Sequence, residues 1–302
     1  MRTKTPHTQD LQQQQNRPWS QQRRLEFIEF RLAWDGRVNR SDLIDAFGIS
    51  LPQASLDFRV YAELAPENAV YDPRRKAYLR TPDFLPRLSA ESSSGFLAGL
   101  LGVASGQTPT EAAYLGWVPP VAVVEVPSRH VDPSVLRAVL AAVKTSRSLD
   151  IDYQSMNRSA ATRRRVTPHA LAFDGSRWHF RAYCHEHLDF RDFLLARVIR
   201  VAAEVEQAVD PASDVEWCNI LDVVLEANPE LSPAQRRVVE LDYGMESGRV
   251  VIPVREALMF YFLRRLGLDH SESSASRTQQ ITWANRGEFP LREGLPRATG
   301  MP

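Results

Sequence analysis

Apolar residues in the first part of the chain recur at helical spacing. Between Ser20 and Trp34, Leu25, Ile28 and Leu32 fall on one face, and Phe27, Phe30 and Trp34 widen the stripe. Asp35-Gly36-Arg37 ends that helix. A second, short helix is predicted over Asp42 to Phe47, with Asn39 or Ser41 as its N-cap. Gly48 follows, where a positive φ costs least. A third helix opens at Ser50. Ser50 and Gln53 have the spacing of a capping box, Pro52 falls in the first turn, and Ala54, Phe58 and Tyr61 line one face. Beyond Pro66 the period shortens to two. Ala69-Val70-Tyr71 and Ala77-Tyr78-Leu79 read as strands joined by Asp72-Pro73-Arg74-Arg75-Lys76, a hairpin with a basic tip.

Residues 83–130 then read as a linker with one apolar helix around Phe96 to Leu101. Asp132-Pro133-Ser134 starts a firmer helix with Leu136, Val139, Leu140 and Val143 on its buried face. Strands are predicted at Leu149 to Tyr153, Arg163 to Thr167, Ala170 to Phe173, Trp178 to Tyr183 and Phe193 to Val198, with Asp174-Gly175 as the clearest hairpin turn. Farther on, Leu221, Val223 and Leu225 alternate as a strand and Pro233 opens a short helix. Val238 to Tyr243 resumes β, Arg249 to Pro253 follows Gly248, and Arg255 to Leu266 reads as a helix ended by Gly267. Residues 1–17, with the run Gln12 to Gln15, and residues 271–302 have the composition of disordered tails. The expected class is an α+β multidomain protein.

A chain of 302 residues, 43% hydrophobic and 25% charged, can bury two or three small cores. No apolar run approaches the roughly 20 residues of a membrane span, and no signal peptide is visible. The two cysteines, Cys184 and Cys218, lie far apart, which points to a reducing cytoplasm rather than a disulfide scaffold. Cys184-His185-Glu186-His187 lacks a second ligand pair at a zinc-site spacing, so no metal and no other cofactor is expected. Motifs for serine hydrolysis, zinc proteolysis or phosphate-loop chemistry are missing, and an enzyme is the weaker class. Net charge is zero, yet from Lys144 to Arg200 eleven Lys and Arg face six Asp and Glu, with four histidines besides. That imbalance suits an anionic ligand.

Helix, glycine turn, helix and basic hairpin together fit a winged helix-turn-helix over residues 18–82, whose third helix would enter a major groove. Its outward positions are Ser50, Gln53, Ser55, Leu56 and Arg59. Arg74, Arg75 and Lys76 at the wing tip would meet phosphates of double-stranded DNA or an adjacent minor groove. The plain alternatives are that Gln53 only closes the capping box, that the tip is a solvated turn, and that the domain binds another protein. Downstream, alternation in Arg177-Trp178-His179-Phe180-Arg181-Ala182-Tyr183 sends Trp178, Phe180 and Ala182 to a core and leaves His179, Arg181 and Tyr183 on a polar face.

The stretch from about Ser134 to Val201 resembles the WYL domain of bacterial regulators. The resemblance is carried by Thr167-Pro168-His169-Ala170-Leu171, Gly175, Trp178 and Phe193-Leu194-Leu195-Ala196-Arg197-Val198. The naming tripeptide is here Trp178-His179-Phe180. Leu241-Asp242-Tyr243-Gly244-Met245 and Val254-Arg255-Glu256-Ala257-Leu258 look like the dimerising extension that follows such domains. Taken from residue 18 to residue 270, the order resembles repressors of the CapW/BrxR type, which control phage-defence operons.

That likeness implies an SH3/Sm-like β-barrel over residues 131–208 and a small α/β dimerisation domain over 211–270, with Phe260, Tyr261 and Phe262 exposed for pairing. It also implies a homodimer on a palindromic operator, and relief of repression by a nucleic-acid-derived anion such as single-stranded nucleic acid or a nucleotide. By position, the pocket candidates are Tyr153, Ser155, Arg165, His169, His179, Arg181, Arg191 and Arg197. Against this stands the reading that several arginines merely pair with Asp152, Asp174, Asp189 or Asp192. A nucleic-acid-processing enzyme and an RNA-binding accessory subunit are the rival functions.

Overall fold

The computed structural model describes residues 19–88, 92–109, 113–206, 208–269 and 279–289. The chain divides into two compact bodies, residues 1–126 and 127–302. The glutamine-rich segment 1–17 and most of 271–302 lie outside the described residues.

In the first body, α1 (Trp19–Asp35), α2 (Arg40–Phe47) and α3 (Leu51–Leu64) surround one core with β2 (Ala69–Asp72) and β3 (Ala77–Arg80). Asn39 caps α2 through a reciprocal box with Asp42, and Gly48 closes it at φ 63. Leu25, Ile28, Leu32, Leu43, Ala54, Phe58 and Tyr61 are buried together, and Tyr78 of the wing stacks on Phe58 at 4.2 Å. The pattern had not revealed β1 (Arg37–Val38), which pairs with β3 and makes the wing three-stranded, in the order β1-β3-β2. Part of the expected linker is packed. Glu29, fully buried on α1, accepts from the amides of Arg87 and Leu88 at 2.8 Å each, and α4 runs from Ser93 to Ala104, longer than predicted. Its Phe96 stacks on Trp34 at 4.6 Å.

The second body opens with α5 (Pro133–Thr145), capped by Asp132. Its buried face is Val135, Val139 and Ala142, with Leu136 and Val143 at the margins. Leu140, expected inside, is 46% exposed, so the apolar stripe is rotated toward Val135. A five-stranded antiparallel sheet follows: β4 (Ser148–Tyr153), β5 (Thr162–Phe173), β6 (Trp178–Cys184), β7 (Asp189–Leu194) and β8 (Val198–Val205), in the order β7-β6-β5-β4-β8. Among the described residues no ladder joins β7 to β8, so the sheet is not seen to close on itself.

Two strand expectations change. The pair 163–167 and 170–173 is one strand with an irregularity between Pro168 and Ala170, where proline has no N–H to give and His169 is left unpaired in the ladder. The predicted strand 193–198 instead breaks at a 3-10 turn, Leu195–Arg197, that joins β7 to β8.

Behind the sheet, a short helix α6 (Val215–Cys218) leads into β9 (Ile220–Ala227), α7 (Pro233–Asp242), β10 (Arg249–Arg255) and α8 (Met259–Arg265). Val238 to Tyr243, expected as β, completes α7 up to Asp242. A full capping box between Ser232 and Gln235 with Pro233 at the first turn sets the helix, and its valines follow. The predicted helix 255–266 begins only at Met259, after a 3-10 turn. Residues 279–289 carry β11 (Ile281–Trp283), which pairs with β9 on the side opposite β10 and buries Ile281 and Trp283. The tail reading fails there because two apolar residues, Ile281 and Trp283, suffice when an open strand edge awaits them. Tyr261, expected exposed, is buried, and Phe260 and Phe262 are half-buried.

Candidate DNA and ligand interfaces

On the first body, α3 is set by a buried ion pair that sequence patterning missed. Asp57, with no exposed surface, accepts from Arg24 Nε at 2.7 Å and Nη2 at 3.3 Å. Gln53 also donates to it at 3.1 Å, so its side chain does not close the capping box, although Ser50 Oγ accepts from the Gln53 amide at 3.4 Å. The charged and amide groups that pin the helix therefore sit along one flank. The opposite side shows Ser50, Leu56 (43% exposed) and Arg59 to solvent, with Ser55 and Gln53 half-buried at its border. Leu51 is as open as any of them and was not foreseen.

Arg74, Arg75 and Lys76 are all exposed at the wing tip. The tip is shaped by Asp72, whose Oδ1 accepts from the amides of Arg74 and Arg75 at 2.8 and 3.2 Å, and by Lys76 in the left-handed region at φ 51. Short polar contacts fix the loop while its three cations stay outward, a geometry suited to phosphates.

On the second body, the run Arg163-Arg164-Arg165 splits by strand alternation. Arg165 lies opposite Asp150 and bonds it at 2.9 and 3.3 Å; Arg163 lies opposite Asp152, which also takes Arg200 at 2.6 Å. These are outer-face ion pairs, and the Asp150 carboxyl is held below its usual range chiefly by the Arg165 hydrogen bond.

Arg164 faces the other way and is 4% exposed, its guanidinium over the Tyr153 ring at 5.6 Å. Glu186 is 3.9 Å from Arg164 and 4.0 Å from Arg158. Arg164 Nη1 and Arg191 Nε are buried without a hydrogen-bond partner among the described residues. Burial and, after it, the charges of Arg191, Arg164 and Arg158 depress the His187 pKa despite Glu186. Two guanidiniums thus stand by the Glu186 carboxylate, and Arg191 is close enough to act on His187; Tyr153 ends β4 and the buried Ser155 follows it. Cys184, Glu186 and His187 offer ligand atoms within 4.8 Å of one another, with Arg158 and Arg164 beside the Glu186 carboxylate.

The remaining candidates sit elsewhere. Trp178, assigned to the core, is 51% exposed and packs on Phe173, while His179 and Arg181, assigned to a polar surface, are 1% exposed. The reason is that β6 is covered on both faces, by the sheet's own core and by the C-terminal elements. Arg181 donates to Asp214 at 2.8 and 3.0 Å and to Glu216 at 2.8 Å, and stands 3.5 Å from Asp192. His169, turned out of the ladder at the bulge, donates to Asp214 at 2.9 Å.

Burial works to raise the Asp214 carboxyl. The hydrogen bonds of His169 and Arg181 outweigh it and hold the group well below the ordinary range. Asp192 goes the other way: burial dominates and raises it, even with Arg181 near and Tyr261 Oη donating at 3.2 Å. His169 and Arg181 therefore tie the sheet to the segment that leads into β9. Arg197 lies at the 3-10 turn, half-buried, its carbonyl accepting from the Gln154 amide at 3.0 Å.

A helix open to solvent with a basic wing beside it in the chain, followed by a separate sheet domain, defines a regulator of the winged-helix class. Residues 20–101 match the family described as the BrxR transcriptional regulator winged helix-turn-helix domain, 134–203 the WYL domain, and 220–289 the BrxR C-terminal dimerization domain.

The chain is 39% identical over 272 residues to the DNA-binding transcriptional repressor CapW of Escherichia coli (strain KTE188), covering 90% of this chain and 91% of that one. It is 40% identical over 273 residues to CapW of Pseudomonas aeruginosa, at 90% and 91% coverage, and 42% identical over 264 residues to CapW of Stenotrophomonas maltophilia, at 87% and 88%. The chain belongs to this BrxR/CapW family of transcriptional regulators, which are not enzymes. The proteasome accessory factor B/C (PafBC) of Arthrobacter aurescens aligns at a TM-score of 0.25 and 18% identity over 84% of this chain and 46% of that chain. That superposition is too loose to relate the two.

Proposed function

We propose that this protein is a homodimeric repressor that grips a palindromic operator with α3 and the wing, controls a phage-defence operon in the cytoplasm, and is released by a nucleic-acid-derived anion in the second body. The outward stripe of α3, with Arg59 as its only arginine and the Arg74-Arg75-Lys76 tip beside it in chain order, supports the DNA half. The observation that carries the ligand half is the pair of buried guanidinium nitrogens, on Arg164 and Arg191, that no acceptor among the described residues satisfies. Such atoms cost free energy unless an acceptor arrives, and phosphate oxygens match a guanidinium fork.

In this reading the five-stranded sheet is the SH3/Sm-like barrel. Tyr153, Ser155, Arg164 and Arg191 lie at its receptive end, Arg165 and Arg197 at its margin, and His169, His179 and Arg181 transmit occupancy to the dimerisation domain. The relatives are named as repressors that bind DNA, which agrees with the sign of control proposed. The test is fluorescence anisotropy on the promoter duplex, titrated with a 5′-phosphorylated single-stranded oligonucleotide and with nucleoside monophosphates. Wild type should leave the duplex as competitor rises, whereas Arg164→Ala and Arg191→Ala should bind duplex normally and stay bound. Retention of wild type under every competitor would overturn the ligand half; a footprint without two-fold symmetry would overturn the operator half.

A further inference from the structure

A cavity of about 330 Å³ lies between the end of the β5–β6 hairpin and the C-terminal elements of the second body. Its walls are largely apolar, with Phe173, Ile252, Pro253, Leu258 and Phe262 beside Arg255, whose guanidinium is held by the Trp217 carbonyl and ring. A second depression of about 250 Å³ covers the hairpin turn and shares Asp174, Tyr261 and Arg265 with the first; Arg177 and Arg264 complete its rim. The volume is at the small end of ligand pockets, roughly 300–1,000 Å³, and the combination of apolar walls with a few placed polar groups is their usual make-up. We infer that this cleft is a second binding site, for a small amphipathic anion that seats an apolar ring in the cavity and a phosphate or carboxylate at the arginine rim.

The charge balance supports that class of ligand. Among the described residues Asp174 is the only acid in either wall, and its oxygens are already used. They accept from the Ser176 amide at 2.8 Å, the Arg177 amide at 2.7 Å, Arg177 Nε at 2.8 Å and His179 Nε2 at 3.0 Å. Burial would raise this carboxyl, but those bonds keep it ionised. Arg177 is consumed by the same carboxylate. Arg264 lies over the Phe260 ring at 5.9 Å, and Arg265 is the cation that the rim presents to the cavity, with Tyr261 turned away to Asp192.

The turn is also shaped for Arg265. Gly175 sits at φ 94, and a Cβ there would come within 2.4 Å of Arg265 Nη1, so the missing side chain is what lets the guanidinium lie across the turn. Basic residues in a helix's last turn often serve only its carbonyls. That role does not call for a guanidinium laid over a neighbouring hairpin.

An occupant would touch the sheet through the hairpin and the dimerisation domain through β10 and α8. It would therefore favour the arrangement of these elements described above over any other, by its differential affinity. The site is separate from the Arg164/Arg191 end, and the inference stands without that assignment.

The experiment uses the full chain, isotope-labelled, with phenyl phosphate as probe, inorganic phosphate and benzyl alcohol as its two halves, and the Gly175 amide resonance as readout. Phenyl phosphate should shift that resonance saturably, with inorganic phosphate at least tenfold weaker and benzyl alcohol weaker still. Arg265→Ala, at an exposed position, should lower phenyl phosphate affinity at least tenfold, while Arg164→Ala should leave it unchanged. No saturable shift, equal affinity in Arg265→Ala, or equal binding of inorganic phosphate would each overturn the proposal. Loss of the shift in Arg164→Ala would assign the probe to the other site and overturn it as well.

Discussion

Three consecutive arginines at 163–165 meet two different environments, and only the ladder decides which. Arg163 and Arg165 face outward onto aspartates of β4, and Arg164 faces inward onto the Tyr153 ring. A period of two is visible in the sequence, but its phase is not. The phase follows from Arg164 lying opposite Ile151, a pairing between residues thirteen apart. For that reason patterning named Arg165 as a candidate and could not tell that Arg164 is the one of the three that is buried. The α3 surface was easier to see, because a helix with a cap, a proline and three buried apolar residues has a determined outer side.

Arg59→Ala should weaken binding to the operator far more than to random duplex. Arg75→Ala should weaken both alike and lower the salt-dependence slope by about 1, as gel shifts across a salt series would measure. Asp57 was silent in the sequence, since one acid in a helix carries no sign of its partner. Asp57→Ala strands the Arg24 charge, and a loss of about 3–5 kcal/mol in urea unfolding is expected; a loss below 1 kcal/mol would contradict the pairing.

At the scale of elements, local signals were right where caps and turns spoke clearly and misled where residue type alone was used. Gly48, Asp132 and the Asp174-Gly175 turn stand where they were placed, with Gly175 in the left-handed region. The Val238 to Tyr243 segment has strand-like valines, yet a nucleus at Ser232-Pro233-Gln235 carries the helix through it. β11 was illegible because its stability is tertiary: Trp283 finds Leu225 across the ladder and stacks on Phe289 at 5.8 Å. Trp283→Ala should therefore cost about 3–5 kcal/mol, the range for removing a large buried aromatic, and thermal or urea unfolding would show it. A surface-like change under 0.5 kcal/mol would mean that the strand contributes nothing.

Over the whole molecule, zero net charge conceals groups that titrate in opposite senses. Burial lowers the pKa of His179, and of His185 and His187, below the ordinary 6.5. Each binds its proton more readily in the unfolded chain, so folding should be weakened as pH falls through 6.5 and below. Asp174 and Asp214, held low, add stability above their unfolded pKa near 3.8 that is lost in stronger acid; Asp192, held high, partly offsets this. The urea midpoint should thus drop between pH 7.5 and pH 5, and His179→Gln should flatten that drop. A midpoint independent of pH over this window would contradict the assignment.

The unpaired step at His169 has a consequence for how such a domain can vary. The segment between β4 and β5 lies outside any ladder, so a change in its length leaves the pairing of β5 in phase. A single insertion between residue 162 and the bulge is a different event: it reverses parity, sending the sheltered guanidinium to the surface and drawing in one that an aspartate had neutralised. Composition, net charge and overall likeness to relatives would all be preserved, while the side chain on the sheltered face would be exchanged for another.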